Sequence, residues 1–424
     1  MIREGEEIFF VDYDNDRAKT ILYAPLRSYL ALMSHSTKDM LLDENDNVVR
    51  QEFFKKLKSR AVIDVGKIAG QLHGMNPELS LSITDNCNLR CRYCHASAGE
   101  ERKKGVMSHE LIDVVLDSYF SHLLPGTKVI RIHMAGGGEP TFEFTTFKYA
   151  VTKAKEHASR LGITCTFAMA TNGCYGNEVR EFIRHNFHNV SLSFDGPPHI
   201  QNLHRPLANG KPSFEAVFET AKYFYSNRVS FAIRATVSDY SIEHLTDVVD
   251  FFVSHFPGVN VALEHLTPNG RALTDNTLRS PDKRKLAEKL VMLFEYVKGK
   301  PIKISNAASA EYDNVRPFFC TAVGIPNWTV SVDGEIVACA RDNGPEAFNI
   351  GKVDLQRRTV LLDQAKVNGL RDMNIANYEE CSDCFAKYHC CGDCPDRRLS
   401  DKCDCDSIRL VGKSLLNRKI DNLA

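Results

Sequence analysis

The chain reads as an α/β protein: a parallel sheet, preceded by a small α+β module and followed by a cysteine-rich region. Three observations predict this. Between about residues 80 and 300, apolar β-branched runs alternate with amphipathic stretches of helical period. Strands alternating with helices form βαβ units, whose strands run parallel with right-handed crossovers. On either side of that span the alternation is absent. Most of the fourteen cysteines also stand in three short groups, Cys87 to Cys94, Cys381 to Cys394, and Cys403 with Cys405. Grouping of that kind in sequence points to metal.

Residues 1–76 form the first segment. Ile8-Phe9-Phe10-Val11 and Lys19-Thr20-Ile21-Leu22-Tyr23 read as short strands around the turn residues Asp12 to Asp16. Helices are expected near 26–41 and 48–60. Residues 77–300 hold the alternating part. Strands are expected at 80–84, 128–134, 162–170, 188–194, 229–237 and 259–266, and helices at 108–122, 145–160, 176–185, 213–227, 241–255 and 281–298. Six such units predict a partial (β/α)6 barrel of the TIM type. Residues 301–424 form the third segment. Thr329 to Ala338 read as a hairpin turning at Asp333-Gly334, and a helix is expected over 406–420.

Composition narrows the function classes. The 424 residues are 43% hydrophobic with a net charge of −1, enough for a large core. That balance gives no electrostatic grip on nucleic acid or on an anionic membrane. No apolar run is long enough to cross a bilayer, and the first residues lack a signal-peptide pattern. The expectation is a cytoplasmic protein, so fourteen cysteines are not read as a disulfide framework.

The chemistry falls at strand ends, where such sheets place their sites. After the first strand come Cys87-Asn88-Leu89-Arg90-Cys91-Arg92-Tyr93-Cys94. Three thiolates this close can hold three corners of a cubane iron–sulfur cluster and leave the fourth iron open for chemistry. The competing reading is zinc, with His95 as a fourth ligand. The second strand ends in Ala135-Gly136-Gly137-Gly138-Glu139-Pro140, where glycines allow close backbone approach and Glu139 can accept from an ammonium. The third ends in Thr171-Asn172-Gly173, the fourth in Ser191-Leu192-Ser193-Phe194-Asp195-Gly196. Asp195 serves either the site or a local loop cap. Arg205 reaches either a ligand or solvent, and Arg234 and Glu264 lie on the fifth and sixth strands. In the last segment Cys320 and Cys339 flank Gly334. Cys381-x2-Cys384-x5-Cys390-x3-Cys394 follows, then Cys403 and Cys405. Cys391 is an extra thiol, Cys174 stands apart, and Cys165 reads as a core thiol of the third strand.

The first cysteine group, including Tyr93, resembles the signature of the radical S-adenosylmethionine (SAM) enzymes. The resemblance implies that Cys87, Cys91 and Cys94 bind a 4Fe-4S cluster. Its open iron would chelate SAM and reduce it to a 5′-deoxyadenosyl radical. It implies that the Gly137-Gly138-Glu139-Pro140 run binds the SAM ammonium and that Ser193 meets its carboxylate. Tyr93, Asn172 and Arg205 complete the implied cofactor set. The last 90 or so residues of cysteine pattern are similar to the SPASM domain, which implies two auxiliary iron–sulfur clusters. Cys320, Cys339 and Cys394 would hold the first. Cys381, Cys384, Cys390 and either Cys403 or Cys405, with Cys405 favoured, would hold the second. Residues 300–319 lack the further cysteine many members carry there. The first auxiliary cluster is thus left open or closed by Cys403 or Cys391.

Together these imply a peptide maturase that oxidatively modifies, by cross-linking, a ribosomally made precursor peptide. The partners are that peptide, bound through a leader by residues 1–76, and a low-potential electron donor such as flavodoxin or ferredoxin. Two alternatives stand beside it. One is protein modification like that of the anaerobic sulfatase-maturating enzymes, or small-molecule radical chemistry. Those enzymes carry an Asp directly after the cysteine matching Cys339, whereas this chain reads Cys339-Ala340-Arg341-Asp342, which speaks against sulfatase maturation. The other is a non-catalytic iron–sulfur protein.

Overall fold

The computed structural model describes residues 7–43, 48–100, 105–306, 312, 314–339, 346–400 and 403–423. The chain divides into two compact units. The first gathers residues 1–74, 307–324 and 371–424; the second gathers 75–306 and 325–370. These units cut the chain differently from the three segments of the sequence: the first segment and the chain's end lie in one body.

The first unit is built on a three-stranded antiparallel meander, β1 (Phe9–Asp12), β2 (Lys19–Ala24) and β3 (Tyr29–Ser34). Helices α1 (His35–Leu42), α2 (Val48–Lys58) and α3 (Val65–His73) follow. Side chains alternate across the sheet, and both faces are covered. Ile8, Leu22 and Ala24 pack with Leu41 of α1 and Phe54 and Leu57 of α2. Phe9, Val11, Ile21 and Tyr23 pack with Leu416 and Ile420 of the C-terminal helix, Cys405–Asp421.

β3 corrects the sequence reading, which placed a helix over 26–41. Leu30, Ala31, Leu32 and Met33 are good helix formers. However, a 3₁₀ turn at Pro25–Arg27 ends on Ser28 in the left-handed region (φ 48°), and the chain reverses there. Tyr29 to Ser34 then pair with Ala24 to Lys19, residue for residue. Tyr29 and Met33 face one core and Leu30 and Leu32 the other, so burial on two faces hides the strand's period. The module therefore has three strands and three helices rather than two of each.

The second unit follows the expected alternation. Its strands are β4 (Leu79–Leu81), β5 (Val129–Met134), β6 (Thr164–Thr171), β7 (Asn189–Ser193), β8 (Phe231–Val237), β9 (Asn260–His265) and β10 (Lys303–Ser305). The crossover helices are α4 (His109–Ser121), α5 (Phe144–Leu161), α6 (Asn177–Asn186), α7 (Pro198–His204), α8 (Phe214–Ser226), α9 (Leu245–His255) and α10 (Lys283–Tyr296). β4 to β10 pair in sequence order, all parallel. Ser108 caps α4 by accepting from the Leu111 N–H, and Gly162 closes α5 in the left-handed region.

Beyond the six expected strands, β10 extends the sheet past β9. On the other side β11 (Trp328–Val330) lies parallel to β4. β11 turns at Asp333-Gly334, with Gly334 at φ +83°, into β12 (Glu335–Val337), as the hairpin reading expected. β13 (Asn349–Asp354) and β14 (Thr359–Leu362) continue it antiparallel, giving an eleven-stranded sheet.

Candidate active site at the strand ends

The loop after β4 carries Cys87, Cys91 and Cys94, and its backbone is held on three sides. Gly138 N–H donates to the Thr84 carbonyl at 2.8 Å and Glu139 N–H to that of Asn86 at 2.9 Å. Arg90 N–H donates to the Pro206 carbonyl at 2.8 Å, and Arg92 N–H to that of His204 at 3.0 Å. Two arginines staple the turn itself. Arg90 donates to the Cys87, Leu89 and Gly99 carbonyls, and Arg271 to the Cys91 and Ala98 carbonyls. A loop tied at this many points presents its thiols in a set arrangement.

The sulfurs are partly prepared as ligands. Leu89 N–H points at Cys87 Sγ and Ala98 N–H at Cys94 Sγ, both at 3.4 Å, and Asn172 Nδ2 lies 3.7 Å from Cys87 Sγ. N–H donors to cluster sulfurs tune the potential of iron–sulfur centres. Burial, then the Glu139 carboxylate, pushes the Cys87 thiol up to about 11. Burial pushes Cys91 higher still, against the pull of Arg205. These thiols stay protonated until a metal takes the proton's place. Among the described residues no three His, Cys, Asp or Glu side chains converge as ligands of one ion. A cubane does not ask for that, since each of its thiolates binds a different iron. The donor set of three soft sulfurs with N–H neighbours fits such a cluster.

The glycine run sits behind this loop. A Cβ at Gly136 would lie 1.9 Å from Ser82 Oγ, at Gly137 2.2 Å from Asp85 Oδ1, and at Gly138 2.1 Å from the Asn86 carbonyl. Gly136 and Gly138 are thus required by the chain's own approach to the segment leading into Cys87, whereas at Gly137 the Asp85 side chain can turn aside. Glu139 beside them is buried and accepts four donors. Oε1 takes the Thr141 N–H and the Thr141 and Thr171 hydroxyls; Oε2 takes the Asn172 N–H at 2.7 Å. Burial raises its pKa, and those hydrogen bonds oppose the rise. Oε2 keeps a lone pair for a further donor.

Asn172 follows β6 and also donates to Asn88 Oδ1 at 2.8 Å, so it joins the glycine loop to the cysteine loop. Ser193 ends β7 half-buried. Asp195 is 1% exposed and is the hub of a network the sequence reading did not resolve. It accepts from Arg205 Nε at 3.0 Å and Nη2 at 3.2 Å, from the Thr236 N–H at 2.8 Å and from the Tyr93 hydroxyl. His204 Nδ1 lies 3.0 Å from the same carboxylate, with Nε2 on Ser238 Oγ at 2.9 Å. Burial pushes the Asp195 carboxyl up, but Arg205 and His204 outweigh it and hold the group below the usual range. Arg205 is buried over the Tyr93 ring rather than exposed to solvent. His204 was the residue missed; its only signal was its place beside Arg205. Arg234 is exposed and Glu264 half-buried. Cys174 is buried and Cys165 half-buried on β6, both pushed up to about 12 by burial.

The first unit gathers a second set of thiols. Cys384 N–H donates to the Cys381 carbonyl at 3.1 Å, and Asp393 N–H points at Cys390 Sγ at 3.2 Å. Cys391, Gly392 and Asp393 all have positive φ, which turns the chain sharply between Cys390 and Cys394. Arg398 Nη2 lies 3.5 Å from Cys381 Sγ. Burial lowers the Arg409 pKa, and the neighbouring Cys384 and Cys405 outweigh it and raise it. Cys391 is buried and points its thiol at the Arg316 carbonyl at 3.3 Å. The Tyr23 hydroxyl meets His389 Nε2, and the Tyr312 ring lies 4.1 Å from the His389 ring. Cys339 follows β12 in the second unit; residues 340–345, including Asp342, lie outside the described residues.

Residues 81–252 match the model of the radical SAM superfamily. The serine-type anaerobic sulfatase-maturating enzyme of Bacteroides thetaiotaomicron is 27% identical over 75% of this chain and 82% of its own length. Among solved structures, native anSMEcpe with bound AdoMet superposes with a TM-score of 0.62 at 19% identity, covering 82% of this chain and 98% of that one. Streptococcus suis SuiB bound to precursor peptide SuiA superposes at 0.53 and 14% identity, covering 93% and 96%. At those identities the two structures speak for the fold.

Proposed function

We propose that this chain is a radical SAM enzyme that matures a ribosomally made precursor peptide by radical oxidation. The observation that carries the reading is the stapled loop presenting Cys87, Cys91 and Cys94 at the strand ends, with N–H donors on two of its sulfurs. When bound there, a cubane with one open iron supplies the electron that splits SAM into methionine and a radical able to take a hydrogen atom from substrate. The chain's own residues hold and orient. Cys87, Cys91 and Cys94 would hold three irons, and Glu139 would accept from the SAM ammonium. Asn172 fixes the Cys87 side of the pocket, and Tyr93, Gly137, Gly138, Ser193 and Arg205 complete it.

Peptide as the substrate class is supported by the cysteine pattern from Cys320 onward, which resembles that of the SPASM domain, a group that mostly modifies peptides or proteins. On this reading Cys320, Cys339 and Cys394 hold a first auxiliary cluster. Cys381, Cys384, Cys390 and Cys405 hold a second, with Cys403 as the other candidate. Cys405 is favoured because Cys405-x3-Arg409 leads directly into the last helix. Residues 1–76 would receive the leader, 77–300 would carry the radical chemistry and 301–424 the auxiliary clusters. β1 and β3 each have one edge without a strand partner among the described residues, and strand addition there would receive the leader. The electron donor would be a flavodoxin or ferredoxin, and the compartment the cytoplasm. No helix among the described residues is long and apolar enough to cross a membrane.

A second reading is favoured by one observation. The Bacteroides relative, matched over most of its length, is a sulfatase-maturating enzyme. One experiment separates the two. The anaerobically reconstituted protein is given SAM, reductant and either a peptide encoded beside its gene or a sulfatase peptide carrying Ser or Cys. Maturation predicts that the neighbouring peptide loses two hydrogens while 5′-deoxyadenosine accumulates. Turnover of the sulfatase peptide alone would establish the second reading. Three filled cubanes would carry on the order of twelve irons per chain.

A further inference from the structure

The inference rests on the reading of the Cys87–Cys94 loop as a SAM-cluster site, and it concerns a residue that touches neither thiol nor cofactor. We propose that Asp195 is a positioning residue for SAM cleavage, clamping Arg205 and Tyr93 against the cysteine loop.

The geometry is unusually convergent. Donors from four places in the chain meet on one buried carboxylate: Tyr93 within the cysteine loop, Arg205 after α7, His204 at the end of α7, and the Thr236 N–H of β8. Asp195 itself follows β7, and its own N–H donates to Gln201 Oε1 at 2.9 Å. A carboxylate so placed joins the cysteine loop to the ends of two parallel strands. The backbone repeats the connection. Arg90 and Arg92 donate to the carbonyls of Pro206 and His204, and Arg92 Nε donates to the Leu203 carbonyl at 2.9 Å. Residues 203–206 therefore form the back wall of the loop.

The clamp also selects one orientation for Arg205. Asp195 engages Nε and Nη2, so the guanidinium plane is set by two parallel bonds. The carbon of that plane lies 5.1 Å from the Tyr93 ring centroid, and Tyr93 packs edge-on to His204 with ring centroids 5.6 Å apart. Nη1 makes no hydrogen bond among the described residues. The cation lies over Tyr93, which stands between Cys91 and Cys94 in the cluster loop. Asp195 thus presents a free guanidinium edge beside the cluster loop while cancelling the charge behind it. Without the carboxylate, Arg205 would lose its orientation and stand as an uncompensated cation near Cys91. An added net positive charge there makes the cluster easier to reduce, which shifts its potential upward.

The test uses Asp195→Asn, which keeps the shape and removes the charge, and Tyr93→Phe, which removes one donor and keeps the ring. Iron content and melting temperature establish that each variant is folded and loaded. The KM for SAM, the midpoint potential of the cluster, and the change that SAM induces in its electron spin resonance signal are then measured. Hydrogen bonds to charged groups carry enough energy for a rise of about 10- to 100-fold in KM. Asp195→Asn is expected to show that rise, an upward potential and a weakened SAM-induced signal. Tyr93→Phe is expected to show a smaller rise, and the double variant less than the product of the two. Should Asp195→Asn fail to load, Tyr93→Phe decides. A SAM KM and potential matching the wild type in whichever variant loads would overturn the positioning role alone. A wild-type protein that forms no 5′-deoxyadenosine, and whose cluster signal ignores SAM, would overturn the proposed function and this role with it.

Discussion

Gly138→Ala isolates the contact between the glycine run and the cysteine loop. Gly138 does not lie in the left-handed region, so alanine meets no backbone penalty of its own there. Its new methyl would stand 2.1 Å from the Asn86 carbonyl oxygen, 2.6 Å from the Asp85 carbonyl carbon and 2.7 Å from the Thr84 oxygen. All three are backbone, so no side chain can swing away. Relief requires the two segments to part by about 1.3 Å, to reach ordinary van der Waals distance. Parting would break the bonds from Gly138 to Thr84 and from Glu139 to Asn86. Overpacking at about 1–3 kcal/mol and two hydrogen bonds at about 0.5–1.5 kcal/mol each give a total cost of about 2–6 kcal/mol. The displaced segment ends in Cys87, and a misplacement of that size at a reacting centre costs on the order of 100-fold in rate. The assay is anaerobic 5′-deoxyadenosine formation with chemical reductant, alongside thermal melting. Gly70→Ala is the control. It lies inside α3 with nothing within 4 Å of the added methyl, and it should stabilise by about 1 kcal/mol without touching the rate. A Gly138→Ala protein that melts and cleaves SAM like the wild type would refute the argument.

Further outcomes follow from the same structure. Changing Cys87, Cys91 and Cys94 together to Ala should abolish 5′-deoxyadenosine formation while iron remains in the proposed C-terminal clusters; undiminished cleavage would show the cluster is elsewhere. Leu416→Ala should lower stability by about 2–5 kcal/mol, read by denaturant melting, because Leu416 is fully buried against the β1–β3 meander. Burial, then the nearby Arg371, holds the His73 pKa below its ordinary 6.5. As pH falls through 6.5 the unfolded chain takes up a proton that the folded one resists, so stability drops on acidification. His73→Gln should remove that part of the pH dependence; identical profiles for variant and wild type would contradict the sign. In the first auxiliary set, a resonance signal lost in Cys391→Ala or Cys403→Ala and indifferent to substrate would show a closed centre.

Much of this was legible along the chain because it is written in local spacing. The alternation that builds β4 to β9 and their helices is a matter of period within ten or fifteen residues. The Cys87–Cys94 and Cys381–Cys394 groups declare themselves by separations of two to five residues. Strand ends follow from the same alternation, so Glu139 and Asn172 could be placed beside the cysteine loop before any contact was known. The Asp333-Gly334 turn is equally local.

What the tertiary structure alone decided depends on partners far apart in sequence. Tyr29–Ser34 is a strand because β2 lies beside it and apolar groups cover both faces; its own Leu, Ala and Met content favours a helix. The N-terminal meander and the last helix share a core through Ile21, Tyr23, Leu416 and Ile420, so removing residues 1–76 would expose that core rather than subtract a module. Gly138 owes its lack of a side chain to the backbone of Thr84–Asn86, about fifty residues earlier. Asp195 acquires its meaning from Tyr93, His204, Arg205 and Thr236, which only the crossovers of the sheet bring to one point. A sequence specifies what each residue can donate, accept or bury. Which of those capacities meet is settled by the long-range pairings that folding makes, since the buried polar groups of this site are satisfied only by one another.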